Sequence, residues 1–118
     1  MSELIREMVE VNAFIEGDEE NLLLGVEAEG LAATSGWTNV RLEPHTYIDA
    51  PEDGFQDFDL VGDRPAEAAS TALTPVEAGW EGPLDGWVIG VRIHAIDNLV
   101  EQELFDFEEE DETDSEAA

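Results

Sequence analysis

In 118 residues the chain carries 31 acidic side chains against four arginines and no lysine, a formal net charge of −27. Direct binding to nucleic acid or to an anionic membrane is excluded by that balance, because both surfaces repel it. The absence of cysteine excludes disulfides, thiolate metal sites and thiol chemistry, and the absence of lysine excludes Schiff-base chemistry.

The acidity is not confined to one end. Residues 101–118 hold ten acids and no base, yet the first 100 residues keep 21 acids against the four arginines, a net charge of −17. A composition 42% hydrophobic is rich enough to bury a core, so wholesale disorder is not expected. The length suits one domain. No apolar run approaches the roughly 20 residues that cross a bilayer. The opening segment, Met1 to Glu7, lacks a cationic stretch leading into an apolar one. The expectation is a cytoplasmic protein, with a β-domain over residues 1–105 and a disordered acidic tail over residues 106–118.

Short strands separated by turn signals are predicted along the body. Residues 8–15 (MVEVNAFI) are rich in strand formers and end in a polar turn containing Gly17. Leu22, Leu24, Val26 and Ala28 then alternate with Leu23, Gly25, Glu27 and Glu29, the period of a half-buried strand, so the two segments predict a hairpin. Over residues 37–48, Val40, Leu42, Pro44, Thr46 and Ile48 share one face, and Arg41, Glu43, His45 and Tyr47 share the other. Pro44 cannot donate to a ladder, which places this strand at an edge or a bulge.

Residues 55–61 (FQDFDLV) put Phe58 and Leu60 inward and Asp57 and Asp59 outward. Residues 62–71 read as a loop or a single helical turn, and residues 73–80 as a short strand. The clearest alternation follows, with Trp87, Ile89, Val91, Ile93 and Ala95 on one face and Val88, Gly90, Arg92 and His94 on the other. Residues 99–105 complete seven candidate strands with no 3.6-residue period. The fold class is therefore all-β, a single antiparallel β-sandwich or barrel-like domain of six to seven strands. Trp37, Trp80 and Trp87 are expected to help close its core.

Motifs that carry chemistry are missing. There is no G-x-S-x-G elbow and no phosphate-cradling glycine loop, so no catalysis and no organic cofactor are expected. Asp49, Asp53, Asp57 and Asp59 crowd one turn and the strand after it, which makes them the candidates for a hard cation. Their spacing is not that of an EF-hand loop, and only loose Ca2+ or Mg2+ binding is expected. Arg41, His45 and Tyr47 on one strand and Arg92 and His94 on another gather most of the cationic groups. If those strands are neighbours, a patch joined by Trp37 forms, suited to an anion or, through the two imidazoles, to a transition metal.

Three functional readings follow. The leading one is a non-catalytic interaction module whose acidity is a halophilic adaptation, since molar salt screens repulsion between carboxylates. The second is a DNA mimic occupying the basic groove of a nucleic-acid-binding protein. Outward acids two apart on a strand, such as Glu27 and Glu29 or Asp57 and Asp59, stand about 6.5 to 7 Å apart, close to phosphate spacing. The third is a metal-dependent enzyme using His45, His94 and carboxylates. A basic protein is the expected partner in the second, and the oligomeric state is not fixed by the sequence.

Overall fold

Alternation of apolar and polar residues carries most of the chain into strands. A computed structural model describes residues 2–18, 20–67 and 70–104, which contain eight strands and no helix. The tail expected over 106–118 lies outside the described residues. The strands are β1 (Ser2–Leu4), β2 (Glu7–Asp18), β3 (Asn21–Ala32), β4 (Thr38–Pro44), β5 (Phe55–Asp63), β6 (Thr74–Pro83), β7 (Gly90–His94) and β8 (Leu99–Glu103). They form two sheets, β2-β3-β6 and a five-stranded sheet built around β5. The sandwich-like all-β architecture is as expected.

The hairpin of β2 and β3 is closed by a tight turn in which Asp18 Oδ1 accepts the N–H groups of Glu20 and Asn21. Gly17 there has φ +92°, and a Cβ would strike the carbonyl oxygen of Asn21, so the turn requires glycine. β6 pairs antiparallel along the other side of β3, from Leu23 opposite Pro83 to Ala32 opposite Thr74. This strand runs three residues beyond the expected end at Trp80 because the ladder continues through Glu81 and Gly82.

In the second sheet, β4 pairs antiparallel with one side of β5, ending with Pro44 opposite Phe58. Among the described residues β4 has no other strand partner, so Pro44 sits at an edge, as its missing N–H demands. The other side of β5 is shared: β1 takes Val61 to Asp63 and β7 takes Phe55 to Asp59. The β5–β7 pair is parallel, which departs from the fully antiparallel expectation. The chain between them crosses to the opposite sheet as β6, so both strands enter their sheet from the same end.

The long alternation from Trp87 to Ala95 becomes a strand only from Gly90 to His94. Residues 85–88 form a turn closed by the Val88 N–H on the Asp85 carbonyl, which turns Val88 inward and leaves Ile89 37% exposed. Trp87 consequently stays outside the core and meets Tyr47 edge-on at 5.8 Å. Trp80 and Trp37 do pack against the core.

The core lies between the sheets and is made by Ile5, Met8, Leu24, Val26, Ala28, Leu42, Phe58, Leu60, Val91 and Ile93. Phe58 is fully buried and takes the Trp80 indole edge-on at 5.1 Å. Replacing Phe58 by Ala removes that ring from a site with no solvent to fill it. The expected loss is about 3–5 kcal/mol of stability, read as a lower urea midpoint followed by tryptophan fluorescence.

Candidate functional site

Two surfaces carry the chemistry of this chain, one on each sheet. On the five-stranded sheet, β5 presents Asp57 and Asp59 outward while Phe58 and Leu60 turn inward. The histidine-bearing segments, whose adjacency the sequence leaves open, flank β5. His45 follows β4 on one side, and His94 ends β7 on the other. The two imidazoles still meet, lying face to face at 5.5 Å with planes 10° apart. Each is held by its own carboxylate at 2.9 Å, His45 Nε2 by Asp59 Oδ1 and His94 Nε2 by Asp57 Oδ1.

Asp57 is the centre of this cluster, with its side chain only 15% exposed. Tyr47 donates its hydroxyl to Asp57 Oδ2 at 2.7 Å and accepts the Asp57 N–H at 2.8 Å. Arg92 Nη1 donates to Asp57 Oδ1 at 3.1 Å, its Nη2 to Asp53 Oδ2 at 2.8 Å and its Nε to Glu101 Oε2 at 2.8 Å. The guanidinium also lies 5.1 Å from the Phe55 ring centre. One arginine thus ties the turn before β5, β5 itself and β8 to β7.

Burial pushes the Asp57 pKa up, but hydrogen bonds from His94, Tyr47 and Arg92 outweigh it and hold the carboxyl below its ordinary range. Arg92 and the Phe55 N–H do the same for Asp53. Burial, then the hydrogen bond to Asp57, pushes the Tyr47 hydroxyl up to about 12.

The remaining basic groups do not join this cluster. Arg41 bonds Glu43 at 2.9 Å and the Asn39 carbonyl, and lies 3.9 Å from Asp63. Trp37 donates its indole N–H to Thr34 Oγ1 and packs beneath Arg64 at 5.7 Å. Arg41, His45, Arg92 and His94 therefore each lie against at least one carboxylate. Two imidazoles that share a metal aim in-plane lone pairs at one point, whereas these rings are stacked. Among the described residues, no group of three or more His, Asp or Glu side chains is arranged to hold a metal ion. Of the candidate cation ligands, Asp53 and Asp57 are bound by Arg92, Asp59 holds His45, and Asp49 is exposed.

The second surface is the outer face of β2-β3-β6. Strand register aligns its side chains in rows: Glu10–Glu29–Glu77, then Asn12–Glu27–Gly79, then Phe14–Gly25–Glu81, then Glu16–Leu23–Pro83. All six glutamates are exposed, and none of the described ion pairs to an arginine or histidine involves them. Small residues at the centre hollow this face into a trough of about 710 Å³, walled by Glu10, Asn12, Glu27, Glu29, Glu77 and Gly79. Beside it Phe14 lies across Gly25, where a Cβ would come within 2.5 Å of the ring. A hydrogen bond to Glu81, open only when one of the two carboxyls is protonated, then desolvation and the charges of Glu81 and Glu27 raise the Glu16 pKa.

Sequence reading singled out Glu27 and Glu29 from this face. It missed Glu10, Glu16, Glu77 and Glu81, although a period of two in β2 and β6 marks all four as outward. Comparison with protein-family models, with curated proteins and with solved structures gives no match.

Tyr47 is the sole tyrosine, so its ionisation is read directly from the absorbance near 295 nm. A midpoint near 12 is expected, and Asp57→Asn lowers it. Because folding raises this pKa, the contribution of Tyr47 to stability is complete below the unfolded value of about 10 and is lost as pH rises through the folded value. A midpoint of about 10 in the folded protein contradicts the Tyr47–Asp57 geometry.

Proposed function

We propose that the protein is a non-catalytic binding module that presents the acidic trough of β2-β3-β6 to a basic protein surface. The observation that carries this reading is the segregation of charge. All four arginines and both histidines are occupied elsewhere, while six glutamates share one concave face with no arginine or histidine paired to them among the described residues.

A merely solvated acidic surface gains nothing from lining up like charges. Glutamates directly opposite one another across strands destabilise the sheet, each pair by about 0.2–1 kcal/mol at low salt. Glu29 stands between Glu10 and Glu77 and bears that repulsion from both sides. A basic partner converts the repulsion into binding energy and gains association rate from the same field.

Nucleic-acid mimicry is the version of this reading favoured by the carboxylate spacing along β3, where Glu27 and Glu29 stand two residues apart. Halophilic acidity is the alternative, in which the face is only a solvation surface.

The test separates stability from binding, with nona-arginine as the probe. Glu29→Gln is expected to stabilise the fold at 0.05 M KCl, by up to about 1 kcal/mol, and to change little at 1 M. The triple substitution Glu27→Gln, Glu29→Gln, Glu77→Gln is expected to weaken nona-arginine binding by roughly tenfold, and a triple substitution at Glu43, Glu52 and Glu103 by less than about twofold. Equal losses from the two triples refute a localised site. Competition by duplex DNA for a basic nucleic-acid-binding protein then tests mimicry.

A further inference from the structure

β2 is an edge strand of its sheet and β8 an edge of the other, and no backbone ladder joins them among the described residues. Two side-chain amides bridge this seam instead. Asn98 Oδ1 accepts the Met8 N–H at 2.7 Å and its Nδ2 donates to the Met8 carbonyl at 3.0 Å. Gln102 Oε1 accepts the Ala13 N–H at 2.9 Å and its Nε2 donates to the Ala13 carbonyl at 2.9 Å. Each amide supplies the acceptor and donor that one residue of a neighbouring strand would supply.

We propose that β2 is a latent self-pairing edge, suited to the β2 of a second copy, which Asn98 and Gln102 hold closed. The strand is self-complementary when paired antiparallel about Asn12. Glu10 then faces Phe14 of the second copy, Val11 faces Ala13, and Asn12 meets Asn12 on the two-fold axis. No glutamate meets a glutamate in this register, whereas within its own sheet Glu10 lies opposite Glu29.

Backbone direction agrees. Val11 has the parity of Ala13, whose N–H and carbonyl point into the seam, so the Val11–Ala13 pairs are hydrogen-bonded ones. The irregularity between Met8 and Glu10 ends the ladder at that side. Such an edge, left open, is a template for association, and side-chain guards are a known remedy. Pairing would bring two acidic faces side by side, so added salt favours it.

The test is the double variant Asn98→Ala, Gln102→Ala, studied by light scattering in 0.5 M KCl. The expected result is a doubled mass with the wild-type chain unchanged. Adding Asn12→Cys places a thiol on the two-fold axis. Cα atoms of such a non-hydrogen-bonded pair lie about 4.5 Å apart, within the disulfide range of about 4.4–6.8 Å. The chain has no cysteine of its own, so a covalent dimer reports that contact, and Glu10→Cys in the same background is expected to give none.

A folded, monomeric double variant overturns the proposal, as does equal cross-linking through Glu10→Cys. If the double variant does not fold, Gln102→Met alone, which keeps the side-chain length but removes both the acceptor and the donor, decides by hydrogen exchange. Ala13 amide exchange is then expected to rise at least about tenfold. Unchanged exchange at Ala13 shows that Gln102 guards nothing.

Discussion

Four arginines against 31 acids make each cation a structural decision, and Arg92 is the one on which the most depends. Its fork reaches Asp53, Asp57 and Glu101 at 2.8 to 3.1 Å. Without it, three carboxylates from the turn before β5, from β5 and from β8 would converge uncompensated. A lysine could not replace it, because a point charge on a flexible stem does not satisfy three acceptors in fixed directions. Tyr47 binds the other oxygen of Asp57, His94 shares Asp57 Oδ1 with Arg92, and His45 binds Asp59 Oδ1. The cluster is thereby hydrogen-bonded internally and clamps the turn before β5, β5, β7 and β8 together.

Concentrating cations on one sheet leaves the other bare. Six glutamates on β2-β3-β6 face solvent around a trough floored by small residues. Crowding against Glu81 and Glu27 favours the protonated form of Glu16 and raises its pKa. The same economy governs the ends of the ladders. Where Pro44 stops β4, the chain stays attached to β5 through the His45 N–H on the Asp57 carbonyl and through Gln56 Nε2 on the His45 carbonyl. Where β2 meets β8, two amides replace a ladder. Neutral side chains thus perform joins that charged pairs perform elsewhere, adding nothing to the net charge.

Much of this was legible in the sequence wherever it is local. The alternation of β3 named Leu24, Val26 and Ala28 as one buried face, although Leu22 on that face is exposed at the hairpin end. Phe58 and Leu60 were placed correctly, and Pro44 announced an edge. Pairings between distant segments were not legible. Nothing within residues 90–94 states that their neighbour is β5 in parallel, since that follows from β6 crossing to the other sheet. β1 is three residues long, too short for a period to show. His45 and His94 stood out by residue type, yet their meeting across β5 needed the register of three strands. The acidic face was half visible. Glu27 and Glu29 were read from a clean strand, while Glu16 and Glu81 lay past the expected ends of β2 and β6. The alternation that turns Glu10 and Glu77 outward was not followed through those strands.

The central claim is that one sheet is electrostatically compensated and the other is not. Carboxyl carbon NMR titration at low ionic strength tests it most directly, because it reads each acid separately. The account predicts that Asp57 and Asp53 titrate below the ordinary carboxylate range and Glu16 above it. Glu16 and Asp57 titrating together in the ordinary range would contradict it, since neither the Arg92 clamp nor the crowded glutamate face would then exist in solution.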